Sequence, residues 1–114
     1  MQSSGDVVEL DLGLPHGREA GFVHPAIVVT SQRILDAGPS VIHVVPVTST
    51  IRAFRSEVTI EPDGVNGLDV VSSAQCQHVR SIAPRRISAT LGTIDASTLA
   101  QIRETLAVLL DLPG

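Results

Sequence analysis

The sequence predicts a small α+β protein, mainly β, in which an antiparallel sheet is followed by one C-terminal helix. Short apolar segments rich in valine and isoleucine are separated by glycines, prolines and polar residues, which is typical of strands and turns. Near the C-terminus, apolar residues instead recur at helical spacing. The 114 residues suit a single domain, residues 1–114. Because only Phe22 and Phe54 are aromatic, aliphatic side chains must fill the core.

The first two strands flank a loop. Residues 6–12 alternate apolar and polar side chains, and residues 13–21 are rich in glycine and charge. Residues 26–30 are almost continuously apolar, which predicts a strand buried on both faces.

The middle of the chain predicts one helical turn and a third strand. Residues 31–37 suit the turn, with Ser31 as its cap. The third strand is predicted over residues 41–47. Pro46 lies near the end of this strand and predicts an edge position or a bulge, because proline has no N–H to donate.

Several short strands follow. Residues 57–60 alternate and end in a turn signal at residues 61–64. Residues 68–71 and 74–82 suit one long bent strand or two separate ones, and residues 87–91 suit a last strand that ends at Gly92.

The C-terminal segment, residues 96–111, predicts a helix that Asp95 caps. Its apolar stripe is predicted to face the core, and it comprises Leu99, Ile102, Leu106 and Leu109.

The charge limits the kind of nucleic-acid contact that the chain can make. The net charge is −4, and all eight basic residues are arginines, which counts against a large phosphate footprint. A short single-stranded segment held by a few arginines fits this balance. The single cysteine, Cys76, excludes an internal disulfide, and the apolar runs are shorter than the roughly 20 residues of a membrane helix. We therefore expect a cytoplasmic protein that does not enter the membrane.

Three segments carry a resemblance to a known family. Residues 5–13 and 17–29 form a strand, a loop with glycine and glutamate, and the start of a second strand at His24-Pro25-Ala26. Val45-Pro46-Val47-Thr48-Ser49-Thr50 is similar to a Pro-x-Thr-Ser signature, and residues 74–82 precede Gly92 and the terminal helix. In this order and spacing the segments resemble the MazF/PemK family of toxins.

The resemblance implies an SH3-like barrel of the CcdB/MazF/PemK type. It implies a homodimer that cleaves single-stranded RNA without a metal or a cofactor, and a small antitoxin that blocks the substrate groove. In that reaction the ribose 2′-OH attacks the adjacent phosphate, which requires a base, an acid and donors to the charged phosphorane. The sequence agrees, because it has no compact His/Cys/Asp cluster at metal-ligand spacing.

The resemblance also implies site residues. The catalytic candidates are His24, Thr48 and Glu19. The RNA-binding candidates are Arg18, Ser49, Gln75, Gln77 and Arg80.

Two departures from the family pattern affect these roles. His24 stands where the family has an arginine; a histidine, with an ordinary pKa of about 6.5, can donate a proton but carries only part of a charge at neutral pH. Arg18 is then a candidate to supply the missing positive charge. Gln77 stands where the family often has an acid, so it can contact a base edge but cannot accept the 2′-OH proton. In an unbroken strand, Gln75 and Gln77 would share one face and Arg80 would lie on the other, so only one of these sets would line the groove.

Less specific interpretations remain open for these residues. His24 suits an ordinary loop–strand boundary, Thr48 a turn cap, and Glu19 a solvated loop. The corresponding alternative function is a non-catalytic binding module, which binds an antitoxin or inhibits gyrase as CcdB does. Leu110 and Leu112 are candidates for a dimer interface.

Overall fold

The computed structural model describes residues 2–11 and 23–113. They form seven strands, two helices and two short 3-10 turns, at Cys76–His78 and Pro84–Arg86. In chain order the strands and helices are β1 (Asp6–Asp11), β2 (Val23–Val28), α1 (Gln32–Asp36), β3 (Ile42–Thr48), β4 (Glu57–Ile60), β5 (Ser72–Gln75), β6 (Arg80–Ile82), β7 (Ile87–Thr93) and α2 (Ala96–Leu109).

The strands form one antiparallel sheet in the order β4-β5-β3-β2-β1-β7, and β6 pairs with β3 outside this order. The predicted class, an antiparallel sheet with a C-terminal helix, is confirmed. Within the described residues, β4 and β7 end the strand order and do not pair with each other, so the sheet is not a closed barrel.

Each face of the sheet carries its own hydrophobic cluster. Residues such as Val7, Ile27 and Val45 point to one face, where Ile102 of α2 covers them. The other face carries the second cluster, which comprises Val8, Leu10, Ala26, Val28, Leu35, Ile42, Val44 and Ile82. Leu35 comes from α1. Since successive residues of a strand point to opposite faces, the continuous apolar run of β2 is buried on both sides, as the sequence predicted.

The edge position predicted for the strand that contains Pro46 is wrong, because β3 lies inside the sheet. On one side it pairs with β2 from Val44 to Pro46. On the other side it pairs with β6 only as far as Val44, and with β5 only from Val47 onward. The His43 carbonyl accepts from the Val29 N–H, so alternation turns the nitrogen of Pro46 toward the β5/β6 side. Pro46 thus falls between two neighbours, where β3 needs no donor.

The prediction of a strand over residues 68–71 is also wrong. Asp63 Oδ1 accepts from the Val65 and Asn66 N–H groups, and Asn66 Oδ1 accepts from the Leu68 N–H at 3.0 Å. Because side chains satisfy these donors, the backbone forms a loop instead of a ladder. Residues 74–82 form the two strands β5 and β6, separated by the 3-10 turn Cys76–His78.

The terminal helix begins as predicted but is only partly buried. Asp95 Oδ1 accepts from the Thr98 N–H at 2.7 Å. Ile102 is fully buried, whereas Leu109 is 44% exposed, so the prediction of a core stripe is wrong at its end. The Ser31 side chain makes no capping hydrogen bond at α1; its carbonyl accepts from Ile34 and Leu35 instead. None of the helices formed by residues 2–11 and 23–113 is long and apolar enough to cross a membrane.

Candidate active site

The strands β2 and β3 place His24 and Thr48 on one face of the sheet. Their ladder ends at Ala26 opposite Pro46; His24 lies two residues beyond Ala26 on one strand, and Thr48 lies two residues beyond Pro46 on the other. Because alternate residues of a strand point to the same face, both side chains share the face of Ala26 and Pro46. His24 is also opposite Leu10 of β1, at the end of the second hydrophobic cluster. The two candidate catalytic side chains therefore lie where this apolar face opens to solvent.

His24 and Thr48 line a groove of about 420 Å³, which we call the main groove. The His24 side chain is exposed, whereas Thr48 is half-buried. Thr48 Oγ1 accepts from the Thr50 N–H at 3.1 Å, which fixes the oxygen while its own proton can still be donated. Ser49 lies in the same groove. The opposite wall comes from the loop after β4, through Gly67, Leu68, Asp69 and Val70.

A second depression of about 290 Å³, which we call the side hollow, also includes His24 and Thr48. It adds Gln75 and Arg80. The prediction that Gln75 and Arg80 lie on opposite faces is therefore wrong. The 3-10 turn Cys76–His78 separates them and breaks the alternation of the strand. Arg80 is opposite Val44 in the β3–β6 ladder, so it shares the face that carries His24 and Thr48.

Gln77 lies in a polar cluster around Glu57, at the start of edge strand β4. Its amide nitrogen donates to Glu57 Oε2 at 2.6 Å, and Arg52 donates to the same oxygen at 2.8 Å. Ser73 donates to Glu57 Oε1 at 3.0 Å, and Ser73 is also opposite Thr48 in the β3–β5 ladder. These donors, with Gln77 foremost, lower the pKa of Glu57 in spite of its burial. The Gln77 donor is thus directed at Glu57, and Gln77 lines neither the main groove nor the side hollow.

The sequence patterns did not predict the two carboxylates that line the main groove. Glu9 and Asp69 both line it. Glu9 Oε1 accepts from the Ser88 hydroxyl at 3.3 Å, which ties it to β7. No periodicity could have placed Asp69, because it lies on an irregular loop.

Two predicted site residues, Arg18 and Glu19, lie outside the described residues. The single cysteine, Cys76, is fully buried, and burial raises the pKa of its thiol to about 11, which disfavours the reactive thiolate.

The arrangement supplies the parts that phosphoryl chemistry on RNA requires. A histidine, a hydroxyl and a guanidinium share one face and open to solvent through the main groove and the side hollow. An imidazole can carry a proton, and a guanidinium can hold a charged phosphate oxygen. In residues 2–11 and 23–113, no group of three or more His, Cys, Asp or Glu side chains could hold a metal ion.

The chain is similar over nearly its whole length to known proteins. The family model of PemK-like, MazF-like toxins of type II toxin–antitoxin systems matches residues 3–110. Endoribonuclease MazF9 of Mycobacterium tuberculosis (strain ATCC 25618 / H37Rv) is 36% identical over 116 residues, which cover 98% of each chain.

Solved structures show the same fold. A MazE–MazF crystal structure (Form-II) from Deinococcus radiodurans superposes with a TM-score of 0.79 at 29% identity, covering 98% of this chain and 97% of that chain. An endoribonuclease in complex with its cognate antitoxin, from Mycobacterial species, gives a TM-score of 0.79 over 100% of this chain and 99% of that one. At 20% identity, the second likeness shows the fold alone.

The match over residues 3–110 confirms the resemblance seen in the sequence. The relative with 36% identity is an endoribonuclease, which favours the nuclease prediction over the alternative of a non-catalytic binding module. The chain therefore belongs to the family of PemK-like, MazF-like toxins of type II toxin–antitoxin systems.

Proposed function

We propose that this chain is the toxin of a type II toxin–antitoxin pair and acts in the cytoplasm as a sequence-specific endoribonuclease on single-stranded RNA. The observation that carries the proposal is that His24 and Thr48 line the same solvent-open groove, with Arg80 beside them in the adjoining side hollow. The likeness to Endoribonuclease MazF9 supports the same reaction.

The proposed reaction uses the substrate's own nucleophile. The ribose 2′-oxygen forms a bond to the adjacent phosphorus, and the bond from phosphorus to the 5′-oxygen of the next nucleotide breaks. The 2′-OH proton passes to a base, and an acid gives a proton to the leaving 5′-oxygen. The products are a cyclic 2′,3′-phosphate and a free 5′-OH.

The described residues supply the acid and two contacts to the phosphate. His24 gives the proton to the leaving oxygen, because it is the titratable side chain at the junction of the main groove and the side hollow. Thr48 donates its hydroxyl to a phosphate oxygen, and Arg80 stabilises the extra charge of the phosphorane. Ser49 and Gln75 contact the adjoining nucleotides. Glu19 as the base and Arg18 as a second cation stay predictions from the sequence. Gln77 has no role in the proposed reaction, because its amide contacts Glu57.

The decisive experiment incubates the purified protein with mixed-sequence RNA in EDTA and maps the ends. We expect cuts at a short recurrent sequence, with cyclic phosphate on one fragment and 5′-OH on the other. RNA with a 2′-deoxyribose at the cut position must stay intact. Cleavage that requires an added divalent ion, or products with a 5′-phosphate, would contradict the proposed mechanism.

Substitution of His24 and of Thr48 tests their roles. His24→Ala should lower the cleavage rate by about 10²–10⁴, the usual contribution of a positioned general acid. Thr48→Val keeps the shape of the side chain but removes the donor, so it should lower the rate as well. His43→Ala is the matched control, because His43 is an exposed histidine on β3 that lines neither the main groove nor the side hollow. Equal rates for His24→Ala and His43→Ala would exclude His24 as the acid.

The proposed function includes two protein partners. A small antitoxin would cover the groove with an acidic, partly disordered segment and so compete with RNA. A second copy of the chain would complete a homodimer, and exposed apolar residues at the end of α2 support this, with Val108 78% and Leu110 58% exposed. Sedimentation of the wild type and of Leu110→Asp tests the dimer, and a fall to monomer in the variant is expected.

A further inference from the structure

Three arginines surround a depression next to the side hollow. This depression, which we call the arginine hollow, has a volume of about 280 Å³. It is lined by Arg80, Arg85 and Arg86, together with Ser81, Ile82 and Ala83. Among the residues that the structure describes, no acidic side chain lines it, in contrast to the main groove, where Glu9 and Asp69 both contribute to the lining.

Local structure fixes the position of these arginines. Arg80 lies on β6, whose residues pair with β3. Arg85 and Arg86 follow on the 3-10 turn Pro84–Arg86, which a hydrogen bond from the Arg86 N–H to the Ala83 carbonyl closes at 2.9 Å. Because the proline also restricts the first residue of this turn, the two guanidinium groups start from a defined backbone.

Two other arginines, Arg52 and Arg103, already have partners inside the fold. Arg52 forms an ion pair with Glu57 at 2.8 Å. Arg103 donates to the Ser4 hydroxyl and to the Val29 carbonyl at 3.4 Å. In a chain with a net charge of −4, the arginine hollow therefore concentrates positive charge at one place.

Arg80 connects this place with the candidate active site, because it lines both the side hollow and the arginine hollow. If one phosphate of the RNA lies beside His24 and Thr48, the next phosphate lies either in the acidic main groove or near Arg85 and Arg86. Repulsion by the Glu9 and Asp69 carboxylates disfavours the first path for a polyanion, and attraction favours the second.

We infer that Arg85 and Arg86 form a phosphate-binding extension of the site, which holds the backbone of single-stranded RNA next to the scissile phosphate. This inference rests on the proposed function for its substrate. It assigns to these arginines a backbone contact, which adds affinity at every sequence and does not itself read the bases. The bases are then left to face the main groove.

The salt dependence of RNA binding tests the inference without any need for cleavage. The probe is a mixed-sequence RNA oligomer in which every ribose is 2′-O-methylated, so that it cannot be cut. Its affinity is measured by fluorescence anisotropy over a range of salt concentrations. Each phosphate contact on a single strand contributes about 0.7 to the slope of log K against log salt, so Arg85→Ala with Arg86→Ala should reduce the slope by about 1.4.

Two variants serve as controls. Arg33→Ala with Arg55→Ala removes the same charge from exposed positions outside the arginine hollow and should leave the slope nearly unchanged. Arg85→Lys with Arg86→Lys keeps the charge and should retain most of the slope, which distinguishes a lost contact from a damaged fold.

The inference is overturned if the double alanine variant binds the oligomer with the wild-type slope, or if the wild type does not bind it at all. It is also overturned if the double alanine variant keeps its RNA binding but loses binding to an acidic peptide, since the hollow would then serve a protein partner. Cleavage in EDTA is scored separately. If the double alanine variant shows the expected change in slope but the wild type does not cleave RNA, the proposed nuclease is refuted and the RNA contact remains supported.

Discussion

The side-chain amide of Gln77 donates to the Glu57 carboxylate at 2.6 Å, across a gap of twenty residues in the sequence. Arg52 and Ser73 donate to the same carboxylate, and the Glu57 side chain is only 1% exposed. The Gln77 Oε1 atom is buried and accepts no hydrogen bond within the described residues. Glu57 thus connects the edge of the sheet, the 3-10 turn and the segment that precedes β4.

Glu57→Gln should destabilise the protein. The new amide nitrogen would face a donor that now meets a carboxylate oxygen, and a buried donor without a partner costs about 1–3 kcal/mol. The free energy of unfolding from urea titration checks this. Glu61→Gln is the control, because it removes the same charge at an exposed residue in the turn after β4. Equal stability of the two variants would contradict the role given to Glu57.

The contribution of Glu57 should also depend on pH. Its pKa in the folded protein lies below the ordinary value of 4.5, chiefly because Gln77 donates to the charged form. A lowered pKa means that the stabilisation is present above pH 4.5 and is lost as the pH falls through the folded-state pKa. The stability difference between wild type and Glu57→Gln should therefore shrink on acidification. Urea titrations at neutral pH and below pH 4.5 measure it, and a constant difference would refute the assignment.

Gly67 should tolerate no side chain. A Cβ atom there would lie 2.2 Å from the Leu91 carbonyl oxygen, and its φ is +72°. Gly64 has a φ of +79° but open space around a Cβ, so Gly64→Ala isolates the backbone cost of about 1–2 kcal/mol. In Gly67→Ala the new methyl group must also push the loop away from β7, so this variant should lose more than about 3 kcal/mol of unfolding free energy. Because that loop forms a wall of the main groove, RNA cleavage should fall as well. Equal losses in the two variants would contradict this tight contact.

Cys76 should be inert in the folded protein. Burial raises the pKa of its thiol from 9.0 to about 11, so the neutral thiol is favoured by folding. By the same linkage, this contribution to stability is complete below pH 9.0 and is lost as the pH rises toward about 11. A colorimetric thiol reagent at neutral pH should react slowly with native protein and rapidly in urea. Cys76→Ala should retain RNA cleavage, and fast native labelling would disprove the burial.

The placement of His24 and Thr48 in one groove could be predicted from the sequence, because both residues belong to segments whose order and spacing follow the family pattern. The placement of Gln75, Gln77 and Arg80 was not. Alternation predicts faces only while a strand continues, and the 3-10 turn Cys76–His78 interrupts it through local backbone geometry. Gln75 and Arg80 consequently line one hollow, and Gln77 contacts Glu57 instead.

Pro46 and the exposed end of α2 show the same limit. Proline at an interior strand was predicted to lie at an edge, since a sequence does not reveal where one neighbour ends and the next begins. The helical period of residues 99–109 was correct, but it carries no information on how far the sheet extends beneath the helix.

The position of β3 among three partners also determines when the site comes into being. A slip of β3 by one residue against β2 would turn the Thr48 hydroxyl into the aliphatic interior and a valine outward beside His24. Such a slip would have to break the ladders to β2, β5 and β6 at once. The placement of the His24 imidazole and the Thr48 hydroxyl in one groove is therefore completed when the chain folds, before any RNA arrives, and it is as stable as the centre of the sheet.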